Sequence, residues 1–153
     1  MLRVSPDPID ASAELRTFEA AALHAGGIVT FSGQVREAAA SGHVASLFLQ
    51  AYSPMTENGI EAAIADARSR WELEHVRVVH RTGAMQPGDT IVFVATAAKH
   101  RRAAFEAADF LMDYLKTEAV FWKKEDTDSG SHWIEPRDQD YSDAERWTKK
   151  ETT

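Results

Sequence analysis

The sequence predicts an α+β domain with a largely antiparallel sheet and flanking helices. Strand-like and helix-like stretches are mixed without the strict β-α alternation of a parallel sheet. At 153 residues, with 44% hydrophobic and 27% charged content, the chain can bury one core of ordinary composition. No apolar run approaches the ~18–20 residues needed to span a bilayer. One domain is therefore expected over 1–153, its core over about 10–135 and a charged, loosely attached tail over 136–153.

Residues 1–9 read as an extended start punctuated by Pro6 and Pro8. Asp10 or Ser12 can cap a helix to about His24, where Leu15, Phe18, Ala22 and Leu23 form its apolar stripe and Gly26-Gly27 ends it. Ile28 to Arg36 alternates as a strand, and Glu37 to Gly42 is a small-residue loop. Val44 to Tyr52 is a second strand, expected antiparallel to the first. Ser53-Pro54 breaks it, and Thr56 is the expected cap of a helix to about Trp71, with Ile60, Ala63, Ile64 and Ala67 inward.

Further strands are expected over His75 to Arg81 and Thr90 to Ala97, separated by Gln86-Pro87-Gly88-Asp89, which has the composition of a turn. The strongest helical pattern runs from His100 to about Glu118, with Ala104, Ala108, Leu111, Met112 and Leu115 on one face. Val120 to Glu125 is a short strand, Asp126 to Gly130 a turn, and Ser131 to Glu135 a closing strand.

Charge is the more informative signal. The chain is acidic, with 17 Lys+Arg against 24 Asp+Glu, which argues against a general nucleic-acid binder. Yet Lys99, His100, Arg101 and Arg102 gather where the long helix begins. The positive end of a helix disfavours cations by roughly 0.3–1 kcal/mol each, so the cluster points to a bound phosphate or carboxylate. The alternative is a solvated basic turn paired with Glu106 and nearby acids. Lys116 ends the same helix, where a cation suits the dipole. In Val120-Phe121-Trp122-Lys123-Lys124, alternation puts Phe121 and Lys123 on one face. If that face is semi-buried, the ammonium is desolvated and becomes a usable acid or base; otherwise the lysine stem lies along the ring with its head in water. Arg36 ends a strand beside the loop.

There are no cysteines, so disulfides, thiolate metal sites and a cysteine nucleophile are excluded. His80, His100 and His132 lack metal-ligand spacing and no His-x-x-x-His pair falls on a predicted helix, so no metal is expected. The N-terminus lacks a signal peptide's apolar middle region, and a cytoplasmic setting is expected.

Several stretches taken together resemble one family. They are Phe31-Ser32-Gly33-Gln34-Val35-Arg36, Tyr52-Ser53-Pro54-Met55-Thr56-Glu57, and His80-Arg81-Thr82-Gly83 with Pro87-Gly88-Asp89. The sharpest are His100-Arg101 before Ala104-Phe105-Glu106-Ala107, and Met112-Asp113-Tyr114-Leu115-Lys116 before Phe121-Trp122-Lys123-Lys124-Glu125. Their order and spacing, from about Gly27 to Arg137, resemble the catalytic (large) subunit of molybdopterin synthase. The resemblance implies an α/β-hammerhead fold and a homodimer within a heterotetramer. Each copy would bind a small ubiquitin-like sulfur carrier with a C-terminal Gly-Gly tail. It implies sulfur transfer from the carrier's thiocarboxylate to cyclic pyranopterin monophosphate (precursor Z), with no cofactor of the chain's own. By motif, Lys116 and Lys123 match the catalytic lysines; Arg36, His100 and Arg101 match anion-binding residues, and Arg137 a further arginine. The chain departs from the family pattern at Gln50-Ala51, where Glu-His is common, at Val120, where proline is usual, and at Lys99. Two rival readings are a transferase using the anion pocket for a nucleotide or acyl phosphate, and a non-catalytic adaptor for a ubiquitin-like tail or RNA.

Overall fold

The computed structural model describes residues 1–39 and 42–148. In chain order the elements are β1 (Leu2–Ser5), α1 (Ala11–Ala21), β2 (Gly27–Gln34), β3 (Ala38–Ala39), β4 (Gly42–Ala51), α2 (Met55–Arg70), β5 (Leu73–Arg81), β6 (Gly83–Met85), β7 (Thr90–Ala98), α3 (Arg101–Thr117), β8 (Phe121–Thr127), β9 (Gly130–Trp133) and α4 (Asp138–Ala144), then a 3-10 turn over Glu145–Trp147. Two sheets result, of order β1-β5-β7-β2 and β3-β4-β8-β9, with β6 also on β4. All pairings are antiparallel except β1 with β5. No described helix is long and apolar enough to cross a membrane.

The first sheet is built around β7, whose Val92 to Ala98 are buried on both faces. Such a strand needs cover on each side. Phe93, Ala95 and Ala97 pack with Phe18 of α1 and with Ala22, the residue that caps its end. Val92 and Val94 pack with Val76 and Val78 of β5 and with Ile60, Ile64, Ala108 and Leu111 of α2 and α3. Thr96, on that second face, donates its hydroxyl to the Ala104 carbonyl at 2.6 Å, tying β7 to the start of α3.

The expected antiparallel pair between the 28–36 and 44–52 strands does not form. β2 pairs with β7, Gly27 opposite Ala98 through Gln34 opposite Thr90. β4 instead pairs with β8, Leu49 opposite Lys123 and Ala51 opposite Phe121. The reason is that β7, apolar on both faces, takes the centre of the first sheet and leaves β2 at its edge. β4 crosses to the second sheet, where Val44, Leu47 and Leu49 pack with Val35 and Met85.

Of the two candidate caps, Asp10 caps α1, its carboxylate accepting from the Ala13 N–H at 3.0 Å. Thr56 does not cap α2. Pro54 holds that position, and Thr56 is the second residue of the helix, within its first turn and 1% exposed. Its hydroxyl accepts from the Tyr52 N–H at 2.8 Å and donates to the Val120 carbonyl at 2.5 Å, joining the end of β4 to the residue before β8. That role uses a carbonyl, which valine and proline both supply at 120. Gly26 also has more to do than end a helix: a Cβ there would stand 2.3 Å from the Lys99 carbonyl oxygen. Only glycine lets the chain run so close beneath the segment that opens α3.

The tail from Pro136, expected to be loosely attached, is docked through residue 148. Trp147 is buried and joins the main core, edge-on to Trp71 and Phe110. Its indole N–H donates to Asp113 at 2.6 Å, and Arg70 donates to its carbonyl at 2.7 Å. Arg146 bridges Asp109 and Asp113 at 3.0 and 2.7 Å. A charged composition hid one tryptophan whose burial outweighs it. The rest of the expected tail, 149–153, lies outside the described residues.

Candidate active site

The second sheet, the end of β2, the last turn of α3 and α4 line a half-open cavity of about 400 Å³. Lys123 reaches it from β8 and Lys116 from α3; Arg36 and Arg137 also line it. β8 alternates as its sequence requires. Phe121, Lys123 and Glu125 line the cavity, whereas Trp122 lies 53% exposed on the other face, edge-on to Tyr52 and Trp133. The semi-buried face anticipated for Lys123 is thus real.

Its chemical consequence is a shifted lysine. Burial pushes Lys123 down from 10.5 to about 8; the charge of Lys116 pushes the same way, and Asp140 and Glu125 oppose. Both protonation states are then accessible close to neutral pH, as general acid-base chemistry needs. Arg36 stands just beyond β2, fixed by the exchange in which Val35 N–H donates to the Asp89 carbonyl and Gly88 N–H to the Val35 carbonyl, both at 2.9 Å. Arg137 is largely exposed, with its guanidinium on Asp140 at 2.9 Å. Asp140 also accepts from the Arg137 backbone N–H at 2.9 Å, securing the start of α4. The Arg137 hydrogen bond holds the Asp140 carboxyl below the usual range despite burial.

His100 and Arg101 are not brought to this cavity. They are exposed at the opposite end of α3 from Lys116. Fifteen residues of helix at 1.5 Å each put Arg101 roughly 22 Å from Lys116 along the axis. Glu106, considered as a partner for the basic turn, accepts the Trp71 indole N–H at 2.9 Å. Several cavity residues escape the sequence reading, among them Asp140, Tyr141 and His80. His80 lines the wall, 7% exposed, stacked on Phe121 at 4.2 Å between centroids. A signal existed: His80 continues the inward row of Val76 and Val78 at two-residue spacing, where an apolar residue is the default.

Comparison with known proteins agrees with this fold. Residues 4–118 match the family model described as MoaE protein. The molybdopterin synthase catalytic subunit of Yersinia pestis is 52% identical over 122 residues, covering 80% of this chain and 81% of that protein. The solved molybdopterin biosynthesis MoaE protein of Burkholderia ambifaria aligns with a TM-score of 0.81 at 41% identity, covering 97% of each chain. Molybdopterin synthase from Staphylococcus aureus aligns at 0.77 with 28% identity, covering 86% of this chain and 95% of that one. The α/β-hammerhead fold is therefore shared, and the chain belongs to the MoaE family.

Proposed function

We infer that this chain is the catalytic subunit of a molybdopterin synthase, a sulfurtransferase of molybdenum cofactor biosynthesis. The observation that carries the chemistry is the convergence of Lys116 and a down-shifted Lys123 on one cavity with Arg36 and Arg137. The relatives' description as catalytic subunits supports a second kind of subunit, which we take to be a small ubiquitin-like carrier ending in Gly-Gly. Its C-terminal thiocarboxylate enters the cavity as an anion, and cyclic pyranopterin monophosphate brings a phosphate. Each carrier sulfur forms a C–S bond to a pterin side-chain carbon as a C–O bond there breaks, the oxygen leaving on the opened phosphate at one carbon and as water at the other; water then cleaves the acyl–sulfur bond, and the carrier leaves as its carboxylate. Lys116 and Lys123 move protons or stabilise developing negative charge beside the sulfur. Two carriers act in turn to build the dithiolene, and the chain needs no cofactor of its own. The setting is cytoplasmic.

The separation along α3 bears on assembly. A homodimer reconciles the two groups of cations: His100 and Arg101 of a second copy complete the anion site beside Lys116 and Lys123. Two such copies, each with a carrier, make the heterotetramer.

The adaptor reading is tested by separating docking from chemistry. Lys123→Ala is expected to bind thiocarboxylated carrier as the unaltered protein does while losing product formation. Full product formation by that variant would leave the cavity as a docking site only.

A further inference from the structure

His80 takes no part in the chemistry proposed above, yet it stands beside the lysine that does. It belongs to β5 in the first sheet, while Phe121 belongs to β8 in the second. Their stack, at 4.2 Å and 23° between planes, is thus a seam between the two sheets at the cavity wall. Two residues along β8, on the same face as Phe121, is Lys123.

The imidazole is fixed in form as well as place. Its Nδ1 lies 3.1 Å from the Arg81 carbonyl oxygen, which can only accept, so Nδ1 carries the hydrogen and Nε2 is the bare nitrogen. Burial, with the nearby charges of Lys123 and Lys116, holds the ring neutral down to about pH 4. A charged residue here would meet two ammonium groups; a small one would open the wall.

We propose that His80 is a positioning residue for Lys123: its uncharged ring, stacked on Phe121, seals the cavity wall against water beside the Lys123 ammonium. A lysine whose charge is poorly hydrated gives up its proton more readily. Facing the same cavity are Lys116 from α3, Glu125 from β8, and Asp140 and Tyr141 from α4. Arg36, Glu135 and Arg137 complete its charged lining. Substitution at position 80 alters none of these, so a change in Lys123 reports its hydration. The inference rests on Lys123 being a reactive lysine of the proposed sulfur transfer, but it concerns the ionisation of that lysine in the chain alone.

Competitive acetylation with acetic anhydride across pH, read at Lys123 by mass spectrometry, tests it without carrier or pterin. The unaltered protein is expected to show a midpoint near 8. His80→Phe, which keeps a neutral ring on Phe121, is expected to hold that midpoint. His80→Ala and His80→Gln, which admit water, are expected to raise it by about one pH unit or more. Circular dichroism establishes which variants fold; if His80→Ala does not, His80→Gln carries the test. A midpoint unmoved in the folded open-wall variants overturns the proposal, as does one raised in His80→Phe as far as in His80→Gln. A chain that makes no dithiolene but shows the expected labelling would sink the sulfur-transfer reading and leave this one standing.

Discussion

Lys116 and Lys123 enter one cavity from different elements, the last turn of α3 and the middle of β8, and the charge of the first helps hold the second at about 8. That coupling makes the pair more than two coincident cations. Lys116→Gln removes a charge that disfavours the Lys123 ammonium, so the Lys123 titration midpoint is expected to move upward. Each of Lys116→Ala and Lys123→Ala is expected to slow product formation by about 10²–10⁴-fold, the range for losing a positioned acid or base. Single-turnover assays with carrier in excess measure this.

The neutral state of His80 has a stability consequence with a definite sign. Its pKa is about 4 folded against 6.5 unfolded, so the unfolded chain takes up the proton first as pH falls. The contribution is fully present above pH 6.5 and is lost as pH falls through 4, a change of about 3 kcal/mol. Urea unfolding at pH 7 and pH 4.5 should show most of it, and His80→Phe should flatten that window. His75, also held low by burial and by Arg68, leaves a residual slope of the same sign.

Docking of the C-terminal segment rests on Trp147 more than on its charges. Trp147→Ala empties a site between Trp71 and Phe110 and is expected to cost about 3–5 kcal/mol. Arg146→Ala removes a half-exposed pair with Asp109 and a contact to Asp113, and is expected to cost about 1 kcal/mol or less. Because α4 lines the cavity, Trp147→Ala should also lower product formation, which thermal melts and turnover assays of the two variants would separate.

A shared site in a homodimer predicts rescue between two inactive variants. Arg101→Ala and Lys123→Ala homodimers, mixed and allowed to exchange subunits, would form heterodimers in which one site carries both changes and the other neither. Activity is expected to return on mixing. If it stays at the level of the separate variants while exchange is shown by mass spectrometry, each chain works with its own residues only.

Much of this was legible in the sequence where one element decides the outcome. Alternation along 120–125 placed Lys123 beside Phe121 and sent Trp122 outward, because a strand leaves side chains only two faces. The 100–118 pattern gave α3 with Lys116 in its last turn. Strand partnership was not legible: β2 and β4 are adjacent in sequence, but the two-faced apolarity of β7 decides which sheet each joins. Distance along a helix is fixed by sequence separation, and it parts His100 and Arg101 from Lys116. Thr56 looked like a cap because its residue type favours caps; its burial and its bond to Val120 are tertiary facts. His80 read as a histidine without a metal partner, when its place in the Val76–Val78 row carried the message.

If this cavity transfers sulfur from a carrier to a pterin, the reaction can be rebuilt from its parts. The full chain is mixed with a thiocarboxylated ubiquitin-like carrier and cyclic pyranopterin monophosphate, and the dithiolene is assayed. Product is expected well above a carrier-only control, with two carriers consumed per pterin converted. Product no greater than that control would rule out sulfur transfer at this cavity.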